Sequence, residues 1–277
     1  MEIRETIQRL KKEQDAVILA HYYVRDEVQE MADYIGDSFY LSKLAVDLPQ
    51  KTLVVCGVSF MGESAKILNP GKRVLLPDPK ADCAMAHTIT PEKVPTHRQA
   101  HPKAAVVCYI NSTAELKTCS DVCVTSANAL KIVRALPNEE IIFIPDENLG
   151  RYIASQLPEK PFICNDGGCP FHARITAADI DAAKAAHPGA PVLAHPECVP
   201  AVLEKADYVG STSGILNYAT AHSETAYIIV TECGIGYKLR QQNPGKEFFF
   251  ITPTPTCEDM KFITLEKIAH ALETGEG

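Results

Sequence analysis

Ten cysteines, nine histidines and ten tyrosines in 277 residues supply more reactive side chains than a core needs. Three of the cysteines, Cys83, Cys169 and Cys257, each follow a short apolar run (VLLPD, FICND, FFFIT) by a few residues. Three thiolates form a soft donor set, and a cluster of iron and sulfur held by three of them and not four keeps one iron open. An open metal position acts as a Lewis acid, which suits removal of water or activation of a hydroxyl or carbonyl better than electron transfer. No C-x-x-C occurs, which argues against a zinc ribbon or a ferredoxin-type loop. Cys56, Cys108 and Cys164 sit inside apolar runs and read as small core hydrophobes. Cys119 and Cys123, four apart, would share one face of a helix as a metal or redox pair. They have no counterpart elsewhere in the chain and read as structural, and Cys198 and Cys233 have no partner at a recognisable spacing either.

A second set of candidates lies where apolar runs end. AVILAHYY, AAVVCYIN and APVLAHPE place His21 with Tyr23, Tyr109 with Asn111, and His195 with Glu197 at their ends. Residues two apart in extended chain share a side, so each pair is expected to project together. Two histidines, a carboxylate and tyrosines suit proton transfer and recognition of carboxylates. Ser38, Ser126 and Thr212 each lie seventeen residues beyond His21, Tyr109 and His195 at an expected helix entrance and read as N-caps. Helix N-termini aimed at one cavity would bind anions such as phosphate and carboxylate.

The elements that must position these groups repeat. The three first runs start 88 and 86 residues apart, each is followed by a second (LVVCG, IIFIP, YIIVT) and a third, and the three cysteines fall 62, 60 and 62 residues beyond His21, Tyr109 and His195. Helical stripes alternate with the runs: Ile3, Ile7 and Leu10; Val28, Met31, Ala32 and Ile35; Leu41, Leu44, Ala45 and Leu48; and finally Leu265, Ile268, Ala269 and Leu272. Short, fully apolar strands alternating with helices imply parallel sheet covered on both faces. The expected fold is α/β: three similar small three-layer αβα domains with parallel sheets around a pseudo-threefold axis. The boundaries expected are 1–85, 86–171 and 172–257, with 258–277 a C-terminal helix packing back on the first repeat. Length alone suggests about two domains, so the repeat refines that prior. A net charge of −8 argues against a coat for nucleic acid or an anionic membrane, and no apolar run approaches the ~20 residues of a spanning helix. With Met1 opening onto a charged amphipathic stretch, the expected location is cytoplasmic.

The runs AHYYVRDEVQEMADYIGDSFYLSKLA at 20–45, CGVSFMGESAKIL at 56–68, AHPEC at 194–198, GSTSGIL at 210–216 and C-E-D-M-K-x-I-T-L-E-K from Cys257 together resemble the quinolinate synthase family over essentially the whole chain. The resemblance implies condensation of iminoaspartate with dihydroxyacetone phosphate to quinolinate, with release of phosphate and water, on the route to NAD. It implies an upstream aspartate-oxidising enzyme as supplier and an oxygen-sensitive [4Fe-4S] cluster held by Cys83 in D-C-A-M-A, Cys169 in G-x-C-x-x-H and Cys257 in C-x-x-M-K. It also implies substrate contacts from His21, Ser38, Tyr109, Asn111, Ser126, His195, Glu197 and Thr212. Glu197 and Tyr109 would transfer protons, with Tyr23 nearby and His195 and His21 recognising carboxylate or phosphate. Asn165-Asp166 departs from the family pattern, where an aromatic residue is common, and the chain has no Trp. Two rivals from other classes are a zinc or iron hydrolase or lyase acting on another phosphorylated carbonyl compound, and a non-catalytic small-molecule binding protein with structural cysteines.

Overall fold

The computed structural model describes residues 2–277. It contains three four-stranded parallel sheets flanked by helices, so the protein is α/β, and it divides into two compact units. One unit comprises the chain up to Cys83 together with Cys257–Gly277; the other runs from Ala84 to Thr256.

The first unit begins with α1 (Ile3–Glu13), β1 (Ala16–His21), α2 (Asp26–Met31), β2 (Tyr34–Gly36), α3 (Ser38–Asp47), β3 (Thr52–Cys56), α4 (Ser59–Leu68) and β4 (Arg73–Leu75). Its strands are ordered β2-β1-β3-β4. Every residue of β1 and β3 is buried, as a central parallel strand covered on both faces requires. The C-terminal helix Leu265–Thr274 buries Leu265, Ile268, Ala269 and Leu272 and packs on α1.

The second unit holds two sheets of the same order. β5 (Ala105–Tyr109), β6 (Val122–Val124), β7 (Ile141–Ile144) and β8 (Phe162–Cys164) form one, ordered β6-β5-β7-β8. β9 (Val192–Ala194), β10 (Tyr208–Val209), β11 (Ala226–Val230) and β12 (Glu247–Phe250) form the other, ordered β10-β9-β11-β12. The main helices between them are α5 (Val94–Ala100), α6 (Ala114–Thr118), α7 (Ala129–Ala135), α8 (Glu147–Ser155), α9 (Ala177–Ala186), α10 (Pro200–Leu203), α11 (Thr212–Ala221) and α12 (Ile235–Gln242).

The register carries the repeat at atomic level. Ala20 pairs with Cys56, Cys108 with Ile144 and Ala194 with Val230, a spacing of 36 residues each time. Two side-chain devices recur at the same period. Asp33, Asp121 and Asp207 each enter the edge strand by accepting a hydrogen bond from the backbone N–H of Ile18, Val106 or Val192 at 2.7–2.8 Å, while their own N–H bonds the same residue's carbonyl. A carboxylate on a backbone N–H is worth about 1.5–3 kcal/mol, enough to tie a two- or three-residue strand to its sheet. Lys72, Lys160 and Lys246 each place Nζ on two carbonyls at the C-terminal end of α3, α7 or α11, where cations offset the dipole.

Two expectations are corrected. Ile35, read in a helical stripe with Val28, Met31 and Ala32, belongs to strand β2, because α2 ends at Met31 and Asp33 then clamps the chain onto β1. Cys119 and Cys123 do not share a helix: Cys119 ends α6 and Cys123 lies in β6.

Candidate functional site

In the second unit the ends of the strands bring one buried polar chain together. Tyr109, the last residue of β5, donates its hydroxyl proton to Glu197 Oε1 at 2.7 Å. The other carboxylate oxygen lies 2.9 Å from His172 Nδ1. That same ring nitrogen is 3.1 Å from Cys169 Sγ, and Nε2 is 3.0 Å from Thr231 Oγ1 at the end of β11. Facing a carboxylate, Nδ1 donates to Glu197, and Nε2 is paired with the Thr231 hydroxyl. His172 stacks on His195 with ring centroids 5.2 Å apart.

His195 follows β9 directly, and the tautomer of its neutral ring is legible. Its Nδ1 accepts the backbone N–H of Glu197 at 3.3 Å, so the ring proton sits on Nε2 and points to Ser126 Oγ at 3.3 Å. The first unit repeats the device: His21 Nδ1 accepts the N–H of Tyr23 at 3.2 Å, leaving Nε2–H as a donor at the end of β1. Both pairs therefore come together in a turn and not, as expected, in extended chain, since the N–H two residues on is caught by the imidazole and curls the backbone.

Electrostatics separate two buried acids. Burial alone would raise Glu197; the electrostatic pull of the His195 ring, with the hydrogen bond and pull of His172, outweighs it and holds the carboxylate well below the usual range. Asp146, fully buried after β7, is pushed up by burial and then by the charge of Glu197. Tyr109 is also held up, by burial first and then by Glu197. Two carboxylates sharing a low-dielectric site cannot both ionise easily, and the histidines decide that Glu197 is the charged one.

Asp146 also shapes the Cys169 loop, accepting the N–H of Leu149 at 2.7 Å as N-cap of α8 and the N–H of Cys169 at 2.9 Å. Gly167 adopts φ +111°, and a Cβ at Gly168 would stand 2.3 Å from Asp146 Oδ2. Gly168→Ala should consequently cost about 1–3 kcal/mol through overpacking and break the loop's hold on Cys169. Equal urea midpoints for variant and parent would show that the carboxylate has room to move.

In the first unit, Asp82 accepts the N–H of Cys83 at 2.8 Å and also bonds Ser59 Oγ. Lys261, the last residue of the short helix Glu258–Lys261 that follows Cys257, donates to the Tyr23 carbonyl at 2.5 Å, and Arg25 donates to the Lys261 carbonyl at 2.8 Å. The turn holding Tyr23 is thus tied to the Cys257 segment. His21 and Tyr23 pack edge to face at 4.5 Å.

The N-cap expectation for the hydroxyl residues is overturned. The caps are Asp37, which accepts from Tyr40 N, and Ser211, which accepts from Gly214 N; Ser38 and Thr212 are the first helical residues beyond them. Ser126 lies in the turn before α7, whose cap position is Asn128. An adjacent polar residue takes the capping task in α3 and α11, and Asn128 of α7 makes no capping bond, its Oδ1 accepting the Thr125 N–H instead. Asn111 is half-buried in the bend after β5. The structure thus joins Tyr109, Ser126, Cys169, His195 and Glu197 in one unit, and sets His21, Tyr23, Ser38, Cys83 and Cys257 in the other.

Sequence reasoning placed His172 only as the end of the G-x-C-x-x-H motif and did not bring Thr231 or Asp146 into the site. One signal was available: Asp146 and Glu232 occupy the same repeat position after IIFIP and YIIVT, and both are buried.

None of the ten cysteines is in a disulfide. Cys56 and Cys198 are fully buried with thiols pushed up by desolvation, as core hydrophobes are. Cys83, Cys169 and Cys257 stand in loops beyond the fourth strands, and as soft donors outside the sheets they fit an iron-sulfur cluster. Ligand atoms of Cys169, His172 and Glu197 also lie within 4.8 Å of one another, a geometry a single metal ion would accept.

A family model described as "Quinolinate synthetase A protein" matches residues 5–277. Quinolinate synthase from Caldicellulosiruptor bescii is 49% identical over 270 residues, covering 98% of this chain and 89% of that protein. Quinolinate synthase from Clostridioides difficile is 50% identical over 270 residues with the same coverage, and that from Aquifex aeolicus is 47% identical over 277 residues, covering 98% and 86%.

Proposed function

This chain belongs to the quinolinate synthase family, an enzyme family of NAD biosynthesis, and from that premise we propose that it condenses iminoaspartate with dihydroxyacetone phosphate to quinolinate, releasing phosphate and water. The observation that carries the reading furthest is the buried chain Thr231, His172, Glu197, Tyr109. A condensation followed by dehydrations needs protons removed and returned in a site closed to bulk water, and this chain offers an ionised carboxylate in contact with a neutral phenol. Glu197 takes a proton, Tyr109 delivers one, and His172, fixed by Thr231, holds the carboxylate in place. The Nε2–H donors of His21 and His195 recognise carboxylate or phosphate oxygens. Ser38 and Thr212, at the N-termini of two ten-residue helices, add backbone and hydroxyl donors for anions. Asn111 and Ser126 orient the substrate, and Tyr23 lies beside His21.

Cys83, Cys169 and Cys257 would hold a [4Fe-4S] cluster that supplies Lewis acidity toward a substrate oxygen or nitrogen. The reading includes an oxygen-sensitive protein working in the cytoplasm, supplied by an enzyme that oxidises aspartate. Among the described residues no helix is long and apolar enough to cross a membrane.

The deciding experiment is anaerobic incubation of the reconstituted protein with dihydroxyacetone phosphate and freshly generated iminoaspartate, with quinolinate measured by chromatography. Sustained quinolinate production supports the proposal. A protein containing iron and sulfide that releases no quinolinate would overturn it, and one that binds a single zinc through Cys169, His172 and Glu197 would favour a mononuclear hydrolase or lyase.

A further inference from the structure

Cys108 and Cys123 are in-register neighbours in the parallel strands β5 and β6. In-register residues of adjacent strands share a face, and strands about 4.8 Å apart bring Cα atoms within the 4.4–6.8 Å range that a disulfide spans. Side by side in register, the two thiols shift one another's proton affinity. Cys108 Sγ also lies 3.1 Å from Ser112 Oγ, and Lys117 bonds the Ser112 carbonyl beside them. Cys119, the third thiol nearby, turns instead to the Glu115 carbonyl at 3.8 Å and to Thr118. Cys108 is buried in the core between β5 and its helices, whereas Cys123 is exposed. β6 is a three-residue edge strand with one neighbour, so it can shift where an inner strand cannot.

We propose that Cys108 and Cys123 form a reversible thiol-disulfide site, oxidised by low-molecular-weight disulfides such as oxidised glutathione, that disturbs the adjoining Tyr109. The exposed sulfur reacts first. Cys123 passes its proton to the Cys108 sulfur and attacks one sulfur of the oxidant, forming a mixed disulfide and expelling one glutathione thiolate, which takes that proton from Cys108. The Cys108 thiolate then attacks the Cys123 sulfur, breaking the mixed bond, closing the Cys108–Cys123 disulfide and expelling the second thiolate. Two protein thiols lose two electrons and two protons, and oxidised glutathione becomes two molecules of glutathione.

The surroundings favour the second step. The neighbouring Cys123 thiol, with the Ser112 and Ser120 hydroxyls and the charge of Lys117, lowers the Cys108 thiol against its burial, so the pair gives up its first proton readily and holds the second. A bridge between in-register parallel strands departs from relaxed geometry, and strained bridges are the easily reduced ones. Its closure moves the edge strand β6, whose Val124 is the in-register partner of Tyr109. Tyr109 is the residue after Cys108, and its 2.7 Å bond to Glu197 is the contact at stake. The effect on turnover rests on the function proposed above; the disulfide itself does not.

The test uses the cluster-loaded protein under anaerobic conditions, treated with oxidised glutathione, alkylated and mapped by peptide mass spectrometry. A Cys108–Cys123 bridge is expected in the parent and none in Cys123→Ser. Quinolinate formation should fall at least about tenfold in the parent, since displacements of about an ångström are enough for such losses. Dithiothreitol should restore it, and Cys123→Ser should keep its turnover with or without the oxidant. No bridge, a bridge from Cys119, or a stable glutathione adduct on Cys123 would overturn the site; a bridge that leaves turnover unchanged would overturn its coupling to Tyr109. If the untreated parent makes no quinolinate, the function proposed above fails while the peptide map still decides the site.

Discussion

Each of Cys83→Ser, Cys169→Ser and Cys257→Ser is expected to lose iron and acid-labile sulfide together and to make no measurable quinolinate. A serine hydroxyl is a harder donor that stays protonated near neutrality, so it cannot replace a thiolate on iron. Cys56→Ser is the control: Cys56 is fully buried at the end of β3, and its loss should cost stability through an added buried hydroxyl without touching iron content. The arrangement of Cys169, His172 and Glu197 makes the experiment discriminating. A single-ion site would keep its metal in Cys83→Ser and Cys257→Ser and lose it in His172→Asn and Glu197→Gln. A cluster gives the reverse pattern, and iron surviving the loss of any one of the three repeat-related thiols would sink the assignment.

Tyr109→Phe removes one oxygen and keeps the ring. It should retain iron and sulfide and cost about 1 kcal/mol for the lost hydrogen bond, because Glu197 remains paired with His172. Quinolinate formation should nevertheless fall roughly 10²-fold or more if the phenol moves a proton in the transition state. Glu197→Gln should fall as far for a different reason: the amide cannot accept the proton. The signature of chemistry is a drop in kcat with KM little changed, whereas His195→Asn and His21→Asn should raise KM through lost contacts to anionic oxygens. A fully active Tyr109→Phe variant would take Tyr109 out of the mechanism, and full activity in Glu197→Gln as well would leave only the cluster and the anion-binding groups as catalytic apparatus.

Much of this arrangement is legible in the sequence because the chain states it three times. The recurrence of AVILAHYY, AAVVCYIN and APVLAHPE located the central strands, the residues ending them and the three equivalent cysteines. The constant 36-residue register between first and third strands is the same fact in atomic form. The edge strands β2, β6 and β10 escaped, since two or three residues carry too little periodicity to separate strand from helix, as Ile35 shows. The capping residues escaped because Asp37 and Ser211 stand beside Ser38 and Thr212, and a one-residue choice between two polar neighbours is settled by backbone angles.

Sequence alone determined which residue types stand at which repeat positions, because hydrophobic period and chain spacing are properties of neighbours along the chain. Only the tertiary structure decided who bonds whom. Tyr109 meets Glu197 across 88 residues and His172 meets Thr231 across 59, and neither distance follows from the period. The same holds for the thiols, where spacing pointed to Cys119 with Cys123 but the register paired Cys123 with Cys108. Hydrogen bonds and charges act over a few ångströms of space, so the ionised state of Glu197 and the raised proton affinity of Asp146 exist only once two sheets deliver their strand ends to one buried place.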